Sequence, residues 1–208
     1  MNRTILLILL IPVLNSCIVD DESSFIKDPF DPRVPQYSEE GANTAGAYID
    51  DQAWSARKRI ISSIFSSSPV TVGSVSFYNS ADPDGTFIAF EGGDLLINES
   101  NVSCSVGFFL AEFDLNQLND LRLLENKRVE LDGVANYGQM VLRNDFSAIA
   151  PENAGVGTFH IRRVAKIQNG EWEISGTFGF SINSENQDAK VFSGRFDYEV
   201  SDEQFGEF

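Results

Sequence analysis

From about Thr44 onward, apolar and polar positions alternate with a period of two far more often than with a helical one. In Trp172–Ile182 the even positions are apolar or Gly and the odd ones polar or Gly, and Phe192–Val200 keeps the same parity. Alternation of this kind puts one face on a core and the other in water, the mark of an antiparallel sheet. The polar stretch Asn183–Asp188 between the two runs predicts a hairpin. Thr158–Val164 precedes it, with Phe159 and Ile161 inward and His160 outward beside Thr158 and Arg162. Nearer the start, Ala47–Trp54 predicts a short hairpin turning at Asp50-Asp51-Gln52. Ile60–Phe65 and Val70–Tyr78 follow, and the second switches faces at Gly73, as at a bulge. Thr86–Phe90 is apolar on both faces, as in a central strand, and Cys104–Phe113 ends the same way. Val129–Leu131 and Val134–Leu142 return to strand.

Only one segment predicts a helix. Leu115, Leu118, Leu121 and Leu124 recur at helical spacing after Asp114, a candidate cap, so the helix falls near 114–124. Roughly ten strands with one short helix and no βαβ alternation predict an all-β chain, an antiparallel β-sandwich or open barrel.

The N-terminus follows a different rule. Met1-Asn2-Arg3 runs into the apolar Ile5–Ile11, too short to span a bilayer and laid out like a secretory signal. Leu14-Asn15-Ser16-Cys17 resembles a bacterial lipobox, which implies diacylglycerol on the Cys17 sulfur and cleavage before it. Three prolines, Pro29, Pro32 and Pro35, and the acidic Asp20-Asp21-Glu22 then predict a semi-extended spacer. The expected organisation is a signal peptide over 1–16, a lipidated flexible tether over 17–40 and a single β domain over 41–208.

Composition narrows the function classes. The 208 residues hold 31 Asp and Glu against 15 Lys and Arg, a net charge of −16. Phosphate backbones demand clustered cations, and the basic clusters here are as short as Arg57-Lys58-Arg59 and Arg162-Arg163, so no nucleic-acid partner is expected. Seventeen Phe supply large side chains for a core. With Cys17 lipidated, Cys104 has no partner for a disulfide, and its apolar strand predicts a buried, inert thiol.

Catalytic chemistry finds little footing. His160 is the single histidine, and no Gly-x-Ser-x-Gly elbow is present, so no nucleophilic triad assembles. Zinc sites draw on Cys and His clusters that this chain lacks. Asp82-Pro83-Asp84-Gly85 carries two carboxylates but not the spacing of a calcium loop, and predicts a turn. No catalytic residue, metal or cofactor is therefore assigned. Trp54 and Tyr48, with Tyr78 and Tyr137 behind them, are the candidate ligand-binding aromatics, because flat rings anchor sugars and peptides; the alternative is that each caps the core.

Two stretches carry a resemblance. Gly41–Trp54, with its Asn43-Thr44 pair, aromatic strand, turn and Trp, resembles the opening of a family of uncharacterised lipoproteins of Bacteroidetes-type bacteria. Ile174-Ser175-Gly176-Thr177-Phe178 and Ser193-Gly194-Arg195-Phe196-Asp197 resemble that family's closing hairpin. The resemblance implies an outer-membrane location facing the cell surface, with Asp20, Asp21 and Glu22 as the export signal, and carries no catalytic residues. The expected function is a non-enzymatic binding or accessory module held to the membrane by lipid on Cys17, with glycan, peptide or envelope protein as partner. The alternatives are a surface hydrolase using paired carboxylates and a structural subunit of an envelope complex.

Overall fold

Alternating strands need a second layer to cover their apolar face, and this chain supplies one from its own sequence. The computed structural model describes residues 18–19, 28–57, 59–61, 70–72, 74–81, 84–97, 99–142, 153–185 and 188–207. Its strands are β1 (Ile18–Val19), β2 (Thr44–Ile49), β3 (Gln52–Arg57), β4 (Arg59–Ile61), β5 (Val70–Val72), β6 (Val75–Ala81) and β7 (Asp84–Ile97). After them come β8 (Ser100–Leu110), β9 (Lys127–Asp132), β10 (Asn136–Leu142), β11 (Val156–Lys166), β12 (Trp172–Asn183), β13 (Asp188–Val200) and β14 (Phe205–Glu207).

A six-stranded sheet runs β3-β2-β13-β12-β11-β9, all antiparallel, and a five-stranded sheet runs β10-β8-β7-β6-β14 with only β14 parallel to its neighbour. A small sheet, β1-β4-β5, completes the described strands. Neither large sheet closes on itself among the described residues, so the fold is an all-β sandwich. The expected hairpins β2–β3 and β12–β13 are both present, and β7 and β8 are central strands.

The core between the sheets is aromatic. Phe90 and Phe108 from one sheet meet Phe159, Phe178, Phe196 and Tyr198 from the other, with Phe108 stacked on Phe159 at 4.2 Å and Phe90 tilted against Phe196 at 4.8 Å between centroids. Offset and edge-on rings of this kind gain about 0.5–1.5 kcal/mol per pair beyond burial. Trp54 ties β3 to the opposite sheet: it is fully buried and its indole N–H donates to the Cys104 carbonyl at 2.9 Å. The ring fits only because position 93 is Gly, where a Cβ would lie 1.9 Å from the indole nitrogen. Burial pushes the Cys104 thiol up to about 12, consistent with an inert core residue.

Four details depart from the sequence expectation. The helix is a 3₁₀ helix over Leu118–Leu124, because its leucines repeat every three residues, the 3₁₀ period, rather than every 3.6. Its cap is formed by Gln117 and Asp120, while Asp114 binds the Asn116 side chain instead. Across 70–78 the change of faces marks passage between two sheets, β5 and then β6; Gly73 lies outside the described residues. Phe192 points outward, since Ser193 adopts a positive φ of 52° at a bulge in β13 that shifts the parity between Val191 and Phe196.

The fourth concerns the expected spacer. Residues 28–40 lie against the outer face of the six-stranded sheet, and the folded unit includes them. Asp28 bonds the Phe30 and Asp31 amides and pairs with Arg195. Val34 is fully buried, and Pro35 sits over Gly46, where a Cβ would fall 2.2 Å from the proline ring. The prolines that suggested an extended tether give a strap that needs no ladder partners of its own.

Candidate binding groove

The outer face of the six-stranded sheet is built by the polar positions of its strands. Register sets them in rows: Arg128 on β9 stands opposite His160 on β11, His160 opposite Thr177 on β12, and Thr177 opposite Arg195 on β13. Adjacent strands lie about 4.8 Å apart, so this row crosses roughly 14 Å of sheet. A bulge in β11 between Ile161 and Arg163 adds Arg162 to the same face. The result is an open groove of about 560 Å³ whose walls include Tyr37 of the strap and the hydroxyls of Thr158, Thr177 and Ser193.

Among the described residues every charged side chain lining this groove is an arginine, in a chain where acids outnumber bases two to one. Arg195 is engaged by Asp28, whose carboxyl it holds below the ordinary range. The Arg162 guanidinium lies 5.0 Å from the centre of the Tyr37 ring. Burial first, and the hydrogen bond to Glu39 second, push the Tyr37 hydroxyl up to about 12. The side chains of Arg128 and His160 have no hydrogen bond or ion pair to any described residue.

Next to the groove, carboxylates converge under residues 38–42. Asp197 is buried and accepts hydrogen bonds from the Ser38 hydroxyl and from the amides of Glu40, Gly41 and Ala42 at 3.0–3.1 Å. Glu173, also buried, faces the Arg163 guanidinium at 3.3 Å, and burial and the neighbouring Asp197 raise its carboxyl above the ordinary value. The loop that covers these acids holds Asp197, while Glu173 has Arg163 as its ion-pair partner. Asp197 spends its lone pairs on backbone amides, which leaves it a structural anchor for the strap.

The sequence-predicted aromatics are not brought together. Trp54 is in the core, while Tyr48, which pairs with Ala53 across the β2–β3 hairpin, points to the opposite face. There Tyr48 stacks on Phe192 at 5.2 Å, donates to Asp31 and lies under Arg33. Asp31 is held far below the usual carboxylate range by Arg33 and then by Tyr48. Tyr137 is buried against Phe109, and Tyr78 donates to Glu91 at 3.0 Å. Cys17, Asp20, Asp21 and Glu22 lie outside the described residues, as does Asp82. Among the described residues no group of three or more His, Cys, Asp or Glu could hold a metal ion. The groove residues Arg128, Arg162 and Arg195 escaped the sequence reading, although the outward parity of His160 with Thr158 and Arg162 was its visible trace.

Comparison with protein-family models, with curated proteins and with solved structures finds no match to this chain.

Proposed function

We propose that this protein is a surface-displayed binding module, without catalysis of its own, anchored through lipid on Cys17 to the outer membrane of a Bacteroidetes-type bacterium. The observation that supports binding is the groove on the six-stranded sheet. It is open and lined by side chains that can donate hydrogen bonds, and among the described residues no carboxylate lines it. The surface-hydrolase alternative would rest on Glu173 and Asp197, and Asp197 is committed to the loop above it. The lipobox-like Leu14–Cys17 and the acids Asp20, Asp21 and Glu22 support the anchor and its outward orientation. Two or more acyl chains hold a domain to a bilayer where one does so only marginally.

Fractionation tests the anchor. The natural chain is expected to incorporate labelled palmitate and sediment with membranes, and Cys17→Ala to do neither. A Cys17→Ala chain that still sediments, beside a natural chain that takes no label, overturns it. Recovery of cleaved products from an oligosaccharide bound by the protein would move it into the hydrolase class.

A further inference from the structure

The cationic row has the makings of a recognition site, and its chemistry names the ligand class. We infer that the groove binds an acidic saccharide, a sugar chain carrying carboxylate or sulfate groups, with Arg128, His160 and Arg162 facing the anion and Thr158, Thr177 and Ser193 facing the sugar hydroxyls. This rests on the binding-module reading and adds to it the charge of the ligand.

Three observations carry it. First, strand register places Arg128 directly opposite His160. Two donor-rich side chains opposed across a ladder gain no pairing from each other. Such a pair makes sense where a third, negative group bridges it. Second, the row already takes a carboxylate at one end: Asp28 of the strap sits on Arg195. Among the described residues the other carboxylates nearby, Glu39 bonded to Tyr37, Glu130 opposite Thr158, Glu173 facing Arg163 and Asp197 under residues 38–42, do not line the groove. Third, the floor is low and sets three hydroxyls beside Phe178. β12 and β13 lose register between Phe178 and Phe180, which leaves Gly179 and Gly194 beside the three hydroxyls and gives the groove its depth. A ligand lying there meets guanidinium, imidazole and hydroxyl donors together, and guanidinium groups pair with carboxylate and sulfate in a fixed fork geometry.

The test is calorimetric titration of the full chain with trigalacturonate (carboxylated), a chondroitin sulfate tetrasaccharide (sulfated) and a neutral galactose trisaccharide. At least one acidic probe is expected to bind at least tenfold tighter than the neutral one and to weaken as salt rises. Arg128→Ala with Arg162→Ala is expected to lower that affinity at least tenfold, whereas Arg122→Ala with Lys166→Ala, which changes net charge equally outside the groove, leaves it within twofold. Thermal melting of each variant checks that the fold is intact. Equal loss in the two double variants overturns the proposal, because it would mean attraction to overall charge. Neutral and acidic probes binding alike overturns the charge selectivity while leaving a binding module; no binding by any probe overturns the saccharide site itself, and neither result touches the Cys17 anchor.

Discussion

The two sheets bury their inner faces alike and treat their outer faces in opposite ways. Outside the five-stranded sheet, Phe87, Ala89, Phe109, Tyr137 and Val141 form a second apolar cluster, and Ala111, Ala154 and Tyr78 pack against it. Outside the six-stranded sheet, the same kind of position holds Arg128, His160, Thr177, Arg195, Glu173 and Asp197. A sheet with two apolar faces is sealed and contributes stability. A sheet with one polar face can afford a groove, because its cations and hydroxyls remain solvated until a ligand replaces the water.

If this contrast is right, substitutions on the two outer faces should differ in kind. Phe87→Ala is expected to cost about 3–5 kcal/mol in chemical denaturation, as much as a ring between the sheets, since Phe87 is fully buried. A cost below about 1 kcal/mol would mean that the outer apolar cluster is a loose satellite. Asp197→Ala strands three loop amides and is expected to cost about 2–3 kcal/mol, with residues 38–42 gaining hydrogen exchange while the core strands keep their protection.

Glu173→Gln gives a smaller, pH-dependent effect. The folded chain holds the Glu173 proton more tightly than the unfolded chain does, because burial and then Asp197 raise its carboxyl. The contribution of this group is therefore full below the ordinary glutamate range and is lost as pH rises through its folded value. Thermal melts from about pH 4 to about pH 8 should show the variant gaining on the natural chain as pH increases. A constant difference would show that the Arg163 pairing cancels the effect of burial and Asp197. Arg128→Ala should move stability by no more than about 0.5 kcal/mol, as befits a side chain with no described polar partner. A larger loss would make the cationic row a structural device.

Much of this was legible in the chain itself. The parity of Trp172–Ile182 gave the inward face of β12 residue by residue, and Thr86–Phe90 declared a strand buried on both sides. What period counting misses is register. Arg128, His160 and Arg195 are far apart in sequence, and only the pairing of four strands aligns them. Phe192 shows the same limit on a smaller scale: one residue at positive φ reverses the parity on which the alternation rests. The strap was hidden for another reason. Its contacts are made by Asp28, Asp31, Val34 and Pro35, short or rigid side chains whose partners lie outside their own segment. Leu115, Leu118, Leu121 and Leu124 carried the 3₁₀ answer openly, in a spacing of three.

The pairing of β2 with β13 has a consequence for how the protein is made. Thr44 finds its partner in Asp197, and the hairpin β2–β3 joins the six-stranded sheet through β13. The first strands to leave the ribosome must therefore wait for some of the last, and contacts of such sequence separation form slowly. Until residue 200 or so has emerged, the six-stranded sheet lacks the strand that joins its two parts. A chain built this way can complete its six-stranded sheet only as the last strands arrive, while most of the five-stranded sheet is already encoded by residue 142.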